Sequence, residues 1–570
     1  MKHIIKNKIL VLLFVLFPVY AFSQEIGQVS ISLIDSEVQI YTSDTKEWVA
    51  ASINMPLKEG DRLWVPEDGR AELHVRGGTY IRLDGNTSFS ILSIEDKSLQ
   101  IYLDRGHIYI NNKKGGTNYI QADTPLSSIS SYDNSVIMID VSGDGATEVS
   151  VIKGYAYADN RSGKTRVSSG KTLYIGEDMH ADLSPIGPSD EWEKWNRHRD
   201  VRLYDSGESA RYLPDELKEY SSNFDQYGRW VYARDYGYIW APRISISVSW
   251  SPYRVGKWVW IGGNFVWLSY EPWGWVPYHY GRWSFFSGIG WGWVPPAHGA
   301  VYWGPGFVGW VYTPTYVAWV PLAPGDVYYG YGHYGPGSVN ITNINIQKTV
   351  VNEFKNVRVK NAVTIIHRDD FTKGKKVDTR MQKMKKNPFI AEKPSIGPPD
   401  IKPEREAASP IAKKISKHRI PPEKVKTLPL EEIKKERKFS KDAESPVVKP
   451  EKKGDDMTVK ELKEPSKMIM RGKQSKTTAR KRFRTYTETQ TEKGTTETKT
   501  ETEDKDNALI KRPENQQQKL EPIRAVPEIE QKTEKGKKKK EDQDIYPNIY
   551  PNIYPNLYPK KELPSKGKNQ

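Results

Sequence analysis

Leu99-Gln100-Ile101-Tyr102-Leu103 alternates side chains with a period of two, the spacing that sends successive residues to opposite faces of a β-strand. The same alternation runs through Val29-Ser30-Ile31-Ser32-Leu33 and Ala71-Glu72-Leu73-His74-Val75 before it, and Val149-Ser150-Val151 after it. Turn formers separate these bursts: Glu67-Asp68-Gly69, Leu83-Asp84-Gly85-Asn86, and the run from Asn160 to Gly163. Short half-buried strands at this spacing predict an antiparallel all-β domain over residues 25–183.

Outward toward the N-terminus, Lys2, His3, Lys6 and Lys8 precede an unbroken apolar run from Ile9 to Phe17, which Pro18 ends. Ala21-Phe22-Ser23 then places small residues at the two positions a signal peptidase reads. This pattern predicts a signal peptide over residues 1–23 and an exported protein, in the periplasm or on the outer cell surface. The apolar stretch falls short of the roughly 20 residues that a membrane-crossing helix needs, and no later segment offers a long uncharged run. No transmembrane segment is therefore expected after the signal peptide. The chain has no cysteine, which excludes a lipidated N-terminal cysteine, a disulfide framework and any thiolate ligand or nucleophile.

The formal charge of +15 is unevenly placed. From Phe371 to the end there are 51 Lys+Arg against 32 Asp+Glu, leaving 35 against 39 for the rest. The basic character thus belongs to the C-terminal part, and nucleic acid is not an expected partner of an exported chain. Beyond Phe371 there is no tryptophan and little apolar periodicity, but abundant Lys, Glu, Pro and Thr. Such a composition predicts a long disordered tail over residues 372–570. Within it, Lys537 to Lys540 is a charge run, and Ile545-Tyr546-Pro547-Asn548 repeats three more times in near-identical form. Proline at every fourth residue forbids a helix, so the repeat is a spacer or a multivalent docking motif.

Between domain and tail, Ser189 to Leu203 reads as a helix capped by Ser189 or Asp190, with Trp192, Trp195 and Arg199 on neighbouring turns. Pro214-Asp215-Glu216 opens a second short helix carrying Leu217 and Tyr220, so residues 189–222 form a helical connector. A Trp/Gly/Pro-rich β-repeat domain follows over residues 225–371. Residues 230–319 hold 14 of the 18 tryptophans and ten tyrosines. Tyr227-Gly228-Arg229-Trp230, Val255-Gly256-Lys257-Trp258 and Tyr280-Gly281-Arg282-Trp283 repeat one motif at spacings of 28 and 25 residues. Trp-Gly-Trp-Val-Pro occurs at 273–277 and again at 291–295, and Ala318-Trp319-Val320-Pro321 echoes its end. The expected unit is a hairpin of short aromatic strands. Further alternation in Val339-Asn340-Ile341 and Val357-Arg358-Val359 predicts strands there also.

Several of these segments carry a resemblance. Leu57-Lys58-Glu59-Gly60-Asp61-Arg62-Leu63, Gly69-Arg70-Ala71-Glu72-Leu73, Ile81-Arg82-Leu83-Asp84 and Asp104-Arg105-Gly106-His107-Ile108-Tyr109-Ile110 resemble the FecR-type domain. The match continues through Ala122-Asp123-Thr124-Pro125, Val151-Ile152-Lys153-Gly154-Tyr155-Ala156 and Val167-Ser168-Ser169-Gly170-Lys171. The resemblance implies a β-rich extracytoplasmic domain; in FecR itself, that domain relays the state of an outer-membrane receptor to an anti-sigma segment. Here a cleavable-type signal directly precedes the domain, with no cytoplasmic helical region. Residues 213–371 resemble an uncharacterised family that joins a FecR-type domain to a Trp/Gly/Pro-rich domain in bacterial envelope proteins, and that family carries no known activity.

Catalysis needs converging groups, and the sequence shows no convincing set. The ten histidines are scattered, without metal-ligand spacing, and His279 and His298 read as loop or hydrogen-bonding residues. Gly163-Lys164-Thr165 lacks the first glycine of a phosphate loop, having Ala158 there. Asp235 and Glu271 are the only acids within residues 230–319, the minimum for glycoside hydrolysis. No enzyme, metal or cofactor is expected. The aromatic residues are the better lead. A domain of this size buries only about 60 to 70 percent of its unfolded surface, so 24 large rings predict an exposed aromatic face. Its candidate residues are Trp230, Trp258, Trp273, Trp275, Trp283, Trp291 and Trp293, with Arg229, Lys257 and Arg282 placed to meet anionic groups. The competing reading makes Trp the core filler of Gly-rich strands. The expected function is a non-catalytic envelope scaffold or binding protein for a cell-wall polysaccharide or envelope protein. The alternative is a FecR-like signalling component that senses a receptor or partner.

Overall fold

The computed structural model describes residues 26–437, apart from 114, 118, 179, 205–206, 248, 347–348, 350–352, 385, 393 and 409–418. The expected signal peptide, the Lys537 to Lys540 run and the Ile-Tyr-Pro-Asn repeats lie outside the described residues.

Seventeen strands, from Val29–Asp35 to Ala181–Pro185, build a two-layered β-domain, as the alternation predicts. One long strand, Ser98–Asn112, serves both layers. Its first half pairs with Thr87–Glu95 and, in parallel, with Tyr119–Asp123 in the second sheet. Its second half pairs with Thr79–Leu83 and Ser135–Val141 in the first sheet. The crossover falls at Gly106, whose φ of +101° suits glycine, and a Cβ there would stand 2.4 Å from the Thr87 backbone. Alternate residues point between the layers: Ile81, Ile108, Ile110, Ile137 and Val149 from one sheet, Leu63, Phe89, Ile101, Ile120 and Ile129 from the other, all buried.

The outer face of the first sheet is polar in sequence yet sealed. Helix Glu191–Tyr204 lies across it, started by Asp190, which accepts from Glu193 N at 2.8 Å. Trp192 packs on Tyr109, Val136 and Met138, and stacks on Trp195. Arg199 grips Glu72 through two bonds of 2.8 Å, while Arg82 donates to Glu72 at 2.8 Å and pairs with Asp200 at 2.6 Å. Burial alone would raise Glu72; the guanidinium groups of Arg199 and Arg82 outweigh it and hold the carboxyl at about 2. Beyond the helix, the segment Asp215–Tyr220 forms a 3-10 turn rather than an α-helix, with Leu217 and Tyr220 buried. Tyr220 Oη meets His74 Nδ1 at 2.9 Å and accepts from Trp275 Nε1 at 3.2 Å. Asn54 donates to the carbonyls of Ser269 and Glu271, so connector, β-domain and Trp-rich module form one continuous body.

The Trp-rich module is built from four hairpins: Gly228–Ala233 with Gly237–Pro242, Gly256–Ile261 with Asn264–Ser269, Arg282–Phe286 with Gly290–Val294, and Val308–Tyr312 with Tyr316–Pro321. The first and third share a four-stranded sheet through Trp240 opposite Trp293, and Thr364–His367 extends the fourth. Three departures from the sequence reading stand out. The motif Trp-Gly-Trp-Val-Pro is a strand at 291–295 but a helical turn, Trp275–His279, at 273–277. Val357-Arg358 lies in a 3-10 turn, Lys355–Arg358, and Ser338–Asn340 is only a three-residue strand.

The third departure concerns the tail. Disorder is expected from residue 372, but the described residues up to 437 are packed. Val377 and Ala407 are fully buried, Val377 N donates to Gly256 O, and Ser395 N donates to Trp310 O. Residues 419–437 then return to the β-domain, where Leu428 and Leu430 pack with Leu92 and Tyr102. Averaged composition hides such a strap, because single apolar anchors docking into a finished surface need no core of their own.

Candidate binding surface

Each hairpin places two tryptophans directly opposite each other: Trp230 and Trp240, Trp258 and Trp267, Trp283 and Trp293, Trp310 and Trp319. In the shared sheet these become a row across four strands, Trp230, Trp240, Trp293, Trp283. The second and fourth hairpins pack their pairs against one another, with Trp258 and Trp310 centroids 4.7 Å apart. Several indole donors are used inside: Trp240 Nε1 donates to Phe224 O, Trp293 Nε1 to Tyr280 O and Trp319 Nε1 to Tyr253 O. Cross-strand aromatic pairs of this kind hold a hairpin together.

This arrangement overturns the broad aromatic face. Of the 14 tryptophans in residues 230–319, eleven are buried, and Trp230, Trp260 and Trp303 are half-buried. Trp258, Trp273, Trp275, Trp283, Trp291 and Trp293 are core residues. Lys257 is buried too, and burial, with a smaller push from Lys375, lowers its amine to about 7. Arg282 lies half-buried over the Phe307 ring at 3.9 Å. The rings can be hidden because the module is not an isolated small domain. It shares its cover with the connector and with residues 371–407, and a body of some 300 residues or more buries about three-quarters of its unfolded surface.

The acids do not form a catalytic pair. Glu271 is 0 % exposed, accepting from Trp250 Nε1 at 3.0 Å and from Tyr278 Oη. Burial outweighs these bonds and pushes its carboxyl up to about 8, so it sits in the aromatic core as a neutral acid. Asp235 is exposed on the turn between the first two strands of the module. A sealed acid and a solvated one share no cleft. His279 is buried, bonded to Gly304 O and lowered to about 4 by that burial, while His298 is exposed. Lys164 lies in the edge strand Gly163–Ser168, not between strand and helix. Among the described residues no group of three or more His, Asp or Glu could hold a metal ion.

What stays open is the edge of the first hairpin. A groove of about 690 Å³ is lined by Trp230, Tyr212, Arg202, Arg229, Glu208 and Asp225, among others. Of the residues singled out from sequence, it brings together Trp230 and Arg229. Asp225 accepts from Ser209 Oγ at 2.6 Å, and Ser209 accepts from Trp230 Nε1 at 2.7 Å, which fixes the indole. From Trp230 the rings continue outward: Tyr212 at 5.0 Å, Tyr238 4.5 Å beyond it, Tyr232 5.5 Å beyond that. Tyr238 is 47 % and Tyr232 64 % exposed. The repeat motif does not contain these tyrosines; their cross-strand pairing, Tyr232 opposite Tyr238, is what places them together.

The two-layered domain, with its strand crossing at Gly106, can be compared with known proteins. Residues 61–157 match the FecR protein family. Residues 221–326 match a second model, described as a family of unknown function (DUF6600), and all four hairpins fall inside it. The chain therefore carries a FecR-like domain followed by a distinct Trp-rich domain. No curated protein is similar to it in sequence. Two crystal structures of a protein described as a "putative anti-sigma factor" from Parabacteroides distasonis, at 1.65 and 2.50 Å, align with it. Each is 11 % identical over 22 % of this chain with a TM-score of 0.20, and the alignment spans 59 % of that protein's length. No helix among the described residues is long and apolar enough to cross a membrane.

Proposed function

We propose that this protein is an exported, non-catalytic component of the bacterial cell envelope, in which the Trp-rich module binds cell-wall polysaccharide. The observation that carries this reading is the open strip Tyr212, Tyr238 and Tyr232 beside a groove with two exposed arginines, Arg202 and Arg229. Flat phenol faces suit sugar rings, and guanidinium groups suit the carboxylates and phosphates of wall polymers. The interior tryptophans then act as scaffold, holding the strip rigid from behind. Co-sedimentation with purified peptidoglycan tests this. Tyr232→Ala/Tyr238→Ala should lose binding while keeping the native melting curve, and equal recovery of variant and wild type would exclude the strip.

A second reading rests on the FecR match at residues 61–157: the FecR-like domain senses a partner as part of a signalling system. It predicts that deleting the gene segment for residues 25–183 alters transcription of a linked operon. An unchanged transcript profile would remove it.

A further inference from the structure

The outer face of the second sheet of the FecR-like domain is covered by the chain's own residues 419–437. This cover is held through both its backbone and its side chains. Gln39 Nε2 donates to Arg419 O, Arg62 Nη1 to Leu428 O at 3.2 Å, and Gln100 Nε2 to Arg437 O at 2.9 Å. Between those bonds, Leu428 and Leu430, with Ile433, fill an apolar patch made by Leu92 and Tyr102. The rim is ionic and partly exposed: Arg419 pairs with Asp68 at 2.7 Å and Lys434 with Glu59 at 2.9 Å. Side chains that grip carbonyls accept any peptide of the right shape, and an acidic rim selects basic ends.

One further fact separates this cover from the fold beneath it. The family match ends at residue 157, more than 260 residues before the cover begins, so the matched domain does not include the segment that hides its face. Beside the cover, Glu436 and Arg437 form one wall of a groove of about 640 Å³ over the same sheet, lined also by Tyr119, Gln121, Ser128 and Asp159.

We propose that this face is a peptide-docking surface, that residues 419–437 occupy it in cis, and that its partner ligand is a basic-ended peptide carrying the Leu428, Leu430, Ile433 pattern. A partner reaches the face by displacing the cover. The proposal concerns the FecR-like domain and is independent of polysaccharide binding by the Trp-rich module.

The test uses the full chain with a specific protease site inserted within residues 409–418, so that cutting leaves every residue present. A fluorescent peptide of residues 419–437 is added to cut and uncut protein and binding is read by anisotropy. Saturable uptake by the cut protein is expected, with the uncut chain weaker by about 100-fold or more, the advantage that tethering gives the resident segment. A labelled peptide carrying Leu428→Asp and Leu430→Asp should not bind either form. Because those changes sit in the peptide, the protein's folding is not at stake. No uptake by cut protein that retains its native circular dichroism would overturn the proposal. Equal uptake of both peptides, or equal uptake by cut and uncut protein, would do the same.

Discussion

The FecR-like domain and the Trp-rich module are both built of short antiparallel strands, but they fill their interiors in opposite ways. The first uses mostly aliphatic residues in alternation, so the sequence period names the face that points between the layers. The second uses indoles paired across hairpins, and there a motif does not name a conformation: Trp-Gly-Trp-Val-Pro is a helical turn at 273–277 and a strand at 291–295, with all four indoles buried. Tertiary position decides between them, since each indole needs a partner ring and the route of the chain is set by where that ring lies. Aliphatic layers are specified locally; the aromatic core is specified by register.

The sharpest way to break this contrast is to remove one member of a buried Trp pair. Trp319→Ala should destabilise the protein by about 3 to 5 kcal/mol in denaturant unfolding, because neighbouring rings cannot collapse into the space. A loss below about 1 kcal/mol would mean that the indoles are loosely packed. Arg199→Ala should cost about as much, some 3 to 5 kcal/mol, by leaving the buried Glu72 with half of its counter-charge. Smaller, but opposite in sign between the two regions, are the pH effects. Glu72 ionises below its ordinary value of 4.5 when folded, so its stabilisation is present above that pH and is lost as pH falls toward about 2. Glu271 is raised to about 8, so its contribution is complete below 4.5 and is lost as pH climbs to about 8. Glu271→Gln should therefore flatten the stability profile between pH 5 and 8, and Glu72→Gln should remove the acid limb; urea midpoints across pH measure both. Smaller again, Ile110→Val in the aliphatic core should cost about 0.5 to 1.5 kcal/mol. Tyr232→Ala should stay within about 0.5 kcal/mol of wild type, as expected for an exposed side chain.

The β-class of both regions was legible because alternation and turn residues act over a few positions. The helix at Glu191–Tyr204 was legible for the same reason, from its cap and the Trp192/Trp195 spacing. The candidate site was legible only at Trp230 and Arg229. The remaining candidates were assigned to the surface by an area estimate that took the module alone, while Phe371, Val377 and Ala407, far along the chain, lie buried beside or against it. The fourth hairpin was hidden because Gly309-Trp310 lacks the basic residue of the other three repeats. The strap was hidden because its few apolar anchors are diluted by Lys and Glu.

The strap also bears on how the chain reaches this state. Gln39 meets Arg419 across 380 residues and Arg62 meets Leu428 across 366, so these contacts close very long loops. Such non-local contacts form late in a folding reaction, after the β-domain and the hairpins have assembled. A newly made N-terminal half would wait, one sheet bare to solvent, until the last described segment arrived to shield it from aggregation.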